Sequence, residues 1–160
     1  MEIRLATTDD LEAIVALYDA AREFMHSHGN PTQWVGAYPG LESARDDIAN
    51  GCLHVCEQDG EILGCMALVP GPDPTYAHIE GAWLDDLPYH AIHRIAAKPK
   101  GKGVGRAMIG WAVERCGSVR SDTHEDNAPM QHALMACGFE HCGTIYLEDG
   151  SPRMAFQLRG

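Results

Sequence analysis

The stretch Ile95-Ala96-Ala97-Lys98-Pro99-Lys100-Gly101-Lys102-Gly103-Val104-Gly105-Arg106 decides the fold. It opens as the end of an apolar strand, passes through three glycines at alternate positions, and continues as the first turn of a helix. Glycines strip side chains from the backbone, so a ligand can approach the amides closely. The helix that follows aims unpaired N–H groups and a positive dipole end at the same place. Lys100, Lys102 and Arg106 add positive charge around it. Together these are the parts of a phosphate site.

Outward from that stretch the pattern is mixed. Residues 89–97 form the strand that feeds the turn, and residues 104–116 the helix after it, with Gly105, Met108, Ile109, Ala112 and Cys116 along its buried stripe. A short strand is expected at 118–122. Asn127 then caps another helix, with Pro129 in its first turn, Met130, Ala133, Leu134 and Cys137 on one face, and Gly138 at its end. Residues 139–147 and 153–158 read as a closing hairpin.

Upstream, residues 2–6 look like a first strand. Thr7-Thr8-Asp9-Asp10 offers helix caps, Asp9 being followed three residues later by Glu12. Leu11, Ile14, Val15, Tyr18, Ala21 and Met25 fall on one helical face that Gly29-Asn30-Pro31 terminates. A shorter helix spans 41–49. Residues 53–57 and 62–69 flank Asp59-Gly60, a hairpin signal. After the stiff loop 70–74, strand-like sequence resumes at 76–79.

Composition narrows the class. With 160 residues and 45% hydrophobic content, the chain suits one compact domain with a real core. No stretch reaches the roughly 20 apolar residues of a membrane span, and no secretory leader is visible at the start. Six scattered cysteines read as small hydrophobes in a reduced, cytoplasmic protein. A net charge of −11 argues against nucleic acid as a partner.

Two common phosphate motifs fail. A Walker loop needs Lys-Ser or Lys-Thr after its last glycine, whereas Arg106-Ala107 follows Gly105. A Rossmann fingerprint needs a third glycine where Arg106 or Met108 stands, although Asp122 lies where a ribose-binding acid is expected. The spacing Gln/Arg-x-x-Gly-x-Gly/Ala is matched by Lys100-Gly101-Lys102-Gly103-Val104-Gly105. With the strand before it, the helix after it, and the later Asn127 helix ending in Gly138-Phe139, the chain resembles the GNAT superfamily of acetyl-CoA-dependent N-acetyltransferases.

The resemblance implies a single α/β domain of mixed α+β character over 1–160. Its central sheet would be mostly antiparallel, of about six to seven strands splayed at the cofactor strand, with about four helices around it. It also implies acetyl-CoA as acyl donor, without a metal. The pyrophosphate would sit on the amides from Gly101 to Arg106, the pantetheine arm would pair with the backbone at Ile95 and Ala97, and Asn127 would touch the arm from across the cleft. Relatives often pair as dimers, so a homodimer is possible here. Three departures stand out: Lys100 replaces the usual Arg or Gln, the strand-to-glycine connection looks about two residues short, and Leu134 stands where many members carry a Tyr acid.

Amide formation needs a neutral amine, and an alkyl ammonium of pKa near 10.4 is only about one part in a few thousand neutral at pH 7. A base must take the proton. His93 is the best candidate, because strand alternation puts it on the face of Ile95; a core histidine bonded to a carbonyl is the competing reading. The run Ser121-Asp122-Thr123-His124-Glu125-Asp126-Asn127 should line the cleft mouth, where His124, Glu125 and Asp126 could hold a cationic amine or assist proton transfer, or else form a solvated loop. Tyr146 is the substitute acid, with Tyr38, Tyr76 and Cys142 left open. Trp34, Tyr38, Trp83 and Tyr89 could wall an amine pocket. His26 with His28, and Cys137 with His141 and Cys142, lack the spacing of a zinc set. The acceptor is expected to be the primary amine of a small cationic molecule or a peptide. The competing reading is a coenzyme A sensor that has lost catalysis.

Overall fold

The computed structural model describes residues 1–99 and 103–159. Four helices and eight strands alternate along the described chain: β1 (Glu2–Leu5), α1 (Leu11–Ser27), α2 (Leu41–Ala49), β2 (Leu53–Gln58), β3 (Glu61–Pro70), β4 (Glu80–Gly81), β5 (His90–Ala97), α3 (Val104–Cys116), β6 (Ser118–Thr123), α4 (Ala128–Ala136), β7 (Glu140–Tyr146) and β8 (Pro152–Arg159). The strands form one sheet in the order β1-β2-β3-β5-β6-β8-β7-β4. Every pairing is antiparallel except β5 with β6.

Local sequence sets most of these elements. Asp59 and Gly60 both take positive φ, 53° and 79°, so a two-residue turn joins β2 to β3. Asn127 Oδ1 accepts the Met130 amide at 3.2 Å and caps α4. At the other end of α4, Gly138 at φ 94° lets the Gly138 and Phe139 amides return to the last carbonyls of the helix. Before α1, the cap is Thr7 with Asp10, not Asp9 with Glu12: Asp10 Oδ2 accepts the Thr7 amide at 2.8 Å, and the Arg4 fork holds the carboxylate in place.

Two layers of helix cover the sheet. On one face, Met108, Ile109 and Ala112 of α3 and Leu134 of α4 bury against Met66, Leu68, Ile92, Val119 and Phe156. On the other, Ile14, Leu17 and Tyr18 of α1 and Ala44 of α2 cover Val55, Cys65, Ala67 and Ala96. Leu17 takes the buried place expected of Val15. The sheet has one strand more than the upper expectation because of β4. The expected strand at 76–79 is absent: Asp73 accepts the Thr75 amide, Pro74 starts a short 3-10 turn, and Tyr76 is driven into the core. Pairing resumes at Glu80 against Thr144.

Two irregularities of β5 create the cleft. Its parallel register with β6 covers only His90↔Val119, Ala91↔Arg120 and Ile92↔Ser121. Beyond Ile92 the two strands part. On the other edge, Ala67 faces His93 and Cys65 faces Ala96, so Arg94 and Ile95 share the space opposite Met66. This is a β-bulge, and Arg94 sits in it at φ 48°. A left-handed non-glycine residue is strained. The Arg94 fork on Asp47, at 2.7 and 2.9 Å, holds it there.

Candidate active site

The bulge overturns the alternation assumed for β5. Ile95 packs on the α3–α4 cluster, while His93 turns to the opposite face, beside the Tyr76 ring at 5.8 Å. The strands part widely enough that residues 92–97 all border one cleft of about 530 Å³. Gly105 and Ile109 of α3 and Asn127, Pro129, Met130 and Ala133 at α4 form its other wall.

At one end of the cleft lies the start of α3. Gly103 takes φ 87°, open to glycine without strain, and a Cβ built on Gly103 or Gly105 would meet nothing within 4 Å. Neither glycine is therefore hemmed in at its Cβ position by the described residues. Val104 is buried in the core and offers only backbone, and Arg106 is exposed. Lys100, Gly101 and Lys102 lie outside the described residues.

At the other end, charged side chains converge. His93 Nε2 lies 2.7 Å from Asp73 Oδ2. The other Asp73 oxygen accepts from the Thr75 amide at 2.9 Å and the Thr75 hydroxyl at 2.8 Å. Burial raises the Asp73 carboxyl, but the His93 and Thr75 hydrogen bonds outweigh it and hold the group at about 2. His93 Nδ1 has no hydrogen-bond partner among the described residues. Behind the pair, Tyr76 donates to Asp122 at 2.5 Å. Burial dominates at Asp122 and pushes its carboxyl above the usual range. Arg153 and Leu147 complete this end, and Tyr38 borders the cleft with its hydroxyl 3.3 Å from Arg94 Nη1.

Several expected site residues are placed differently. Trp34 is 6% exposed, set edge-on to Tyr18 at 6.0 Å, and reaches the cleft as part of the core. His124 bonds Thr32 and the Asp126 amide, outside the cleft lining. Glu125 and Asp126 are exposed beside it, as a solvated loop. Tyr146 sits at the β4–β7 edge and donates to Glu80 at 3.0 Å, so it does not reach the cleft. Trp83 and Tyr89 sandwich the protein's own Arg120 at 4.2 and 3.9 Å, which occupies the aromatic wall. Leu134 is wholly buried in the core. Asn127 does border the cleft, where its amide also donates to Gln33 at 3.0 Å.

Asp73 and Arg153 escaped the sequence reading. Asp73 lay within what looked like a mere stiff loop. Arg153 shares a strand face with the buried Ala155, and a charge at an inward position was the available signal. Among the described residues, no group of three His, Cys, Asp or Glu side chains is arranged to hold a metal. No described helix is long and apolar enough to cross a membrane. Cys65 and Cys52 are buried, which raises their thiols to about 12 and about 11.

The sequence model described as Acetyltransferase (GNAT) family matches residues 11–139. The chain belongs to the GNAT acetyltransferase family. A GNAT-family acetyltransferase from Streptococcus agalactiae 2603 superposes with a TM-score of 0.91 at 33% identity, over 99% of this chain and 95% of that one. The peptidyl-lysine N-acetyltransferase YiaC of Escherichia coli (strain K12) is 25% identical over 137 residues, 86% of this chain and 82% of its own length. The fold is shared by yncA, a putative acetyltransferase from Salmonella typhimurium solved with its cofactor acetyl-CoA, at 19% identity and a TM-score of 0.63 over 99% and 92% of the two chains. GNAT membership supports the enzyme class expected from the sequence, an acyl-CoA-dependent N-acyltransferase.

Proposed function

We propose that this GNAT protein moves an acetyl group from acetyl-CoA directly to the primary amine of a small molecule or peptide, with His93 as the base. The observation that carries the reading is the junction of the parted β5 edge with the Asp73–His93 pair in a single cleft. The free β5 edge at Ile95 and Ala97 suits an extended pantetheine arm, taken up as an added strand. The start of α3, from Gly103 to Arg106, suits its diphosphate, together with Lys100, Gly101 and Lys102. Asn127 borders the arm from α4.

The thioester supplies an activated carbonyl; the residues supply orientation and proton transfer. With Nε2–H donating its hydrogen bond to the Asp73 carboxylate, the Nδ1 lone pair of neutral His93 is free to take the amine proton. The amine nitrogen then forms the C–N bond as the C–S bond breaks. The departing thiolate takes a proton from Tyr38, the one phenol bordering the cleft among the described residues, where Arg94 sits beside its hydroxyl.

Thiol release from acetyl-CoA, measured against a panel of amines, tests the reading. His93→Ala should lower amine-dependent release by about 10²-fold or more while leaving coenzyme A affinity intact. Coenzyme A binding without amine-dependent release would make the protein a sensor. Unchanged turnover in His93→Ala would remove the histidine from the mechanism.

A further inference from the structure

Arg153 is the unusual charge of this cleft. It is 7% exposed, projects from β8 on the face of Ala155, and borders the acceptor end beside Asp122 and Leu147. Of its donors, Nη1 bonds the Pro152 carbonyl at 2.8 Å. No carboxylate lies within 4.0 Å of it among the described residues. The Arg153 charge acts through space on Asp122 and Asp149.

The other arginines turned inward differ. Arg94 is forked on Asp47, and Arg120 is stacked between two rings and bonded to the Asp85 carbonyl. With the Arg153 residue 7% exposed, a guanidinium largely withdrawn from bulk water is costly to leave without an anion. Its planar fork matches a carboxylate in two parallel hydrogen bonds.

Resting on the transferase reading, we propose that the acceptor is a free amino acid whose carboxylate is clamped by Arg153 while its amine lies at His93. The amine end suits an ammonium before deprotonation, since Asp73 is ionised beside it. A peptide lysine side chain carries no carboxylate near its amine and leaves Arg153 unmatched. The clamp therefore selects against that acceptor, the one named for the Escherichia coli relative.

Matched pairs separate the possibilities. Free α- and ω-amino acids are compared with their carboxamides and with the corresponding decarboxylated amines. Binding is read by calorimetry on the wild-type protein saturated with coenzyme A, and turnover by thiol release. At least one free acid should bind roughly tenfold or more tightly than its amide. Arg153→Gln should erase that difference, and Arg153→Lys should restore part of it. Should Arg153→Gln fail to fold, the wild-type pairs and Arg153→Lys still decide. Equal binding of acids and amides throughout the panel overturns the clamp, as does a preference that survives in Arg153→Gln. Preferential binding of an acid without any thiol release keeps the clamp and rejects the transferase.

Discussion

Asp73 and Asp122 sit in one cleft and respond to the fold in opposite directions. In the folded protein Asp73 ionises at about 2, against about 3.9 in an unfolded chain. Its charge therefore stabilises the native state above pH 4 and loses that contribution as pH falls toward 2, a difference of roughly 2 kcal/mol. Urea unfolding should show Asp73→Asn weaker than wild type at neutral pH, with the gap closing as the solution is acidified; a gap independent of pH contradicts the His93 pairing. Burial raises Asp122 instead, so its ionisation opposes folding as pH rises. Asp122→Asn should then gain thermal stability relative to wild type at pH 8 and lose that advantage in acid. At the same scale, Tyr38→Phe should slow turnover by about tenfold or more without weakening coenzyme A binding. Unaltered turnover would assign thiolate protonation to solvent.

The elements around the cleft are held at close range. A Cβ on Gly64 of β3 would stand 2.8 Å from Val104 Cγ1 and 3.1 Å from Met108 Sδ, both on the first turns of α3. Gly64→Ala should push the helix outward, lower stability by about 1–3 kcal/mol and weaken coenzyme A binding together with it. Titration of the folded variant checks this, since an unshifted affinity would show that α3 gives way elsewhere. At α4, Asn127 has two duties, capping Met130 and donating to Gln33. Asn127→Ala should cost about 1 kcal/mol through the lost cap, seen as a lower urea midpoint, with Asn127→Asp keeping most of the capping energy. The element boundaries were legible because caps and turns are local chemistry: Asn127, Gly138 and Asp59-Gly60 each act on residues within five positions. The bulge in β5 was not, because Arg94 is held in its left-handed conformation by Asp47, 47 residues away.

Across the whole molecule, the sheet is two four-stranded halves joined through three β5–β6 register pairs. A ligand lying between β5 and α4 would link the halves as well as fill the gap. Acetyl-CoA at about 100 times its Kd should add roughly 2.7 kcal/mol to native stability, on the order of 5–10 °C in a thermal scan. Amide exchange at residues 93–97 should slow at the same time. Protection confined to other strands would place the ligand elsewhere.

The sequence by itself determined the strand ending at Ala97 and the helix beginning at Val104, most of the buried faces of the helices, and the family to which the chain belongs. Periodicity, capping and glycine placement are written in neighbouring residues and survive without tertiary context. Tertiary structure decided which charges meet: Asp73 reaches His93 across 20 positions, Arg120 fills the aromatic slot of Trp83 and Tyr89, and Arg153 has no carboxylate within 4.0 Å among the described residues. It also left Tyr146, His124, Glu125 and Asp126 out of the cleft lining, which Asp122 and Asn127 do join. Long-range partners are chosen by how layers pack and where a strand bulges, and no spacing along the chain encodes either.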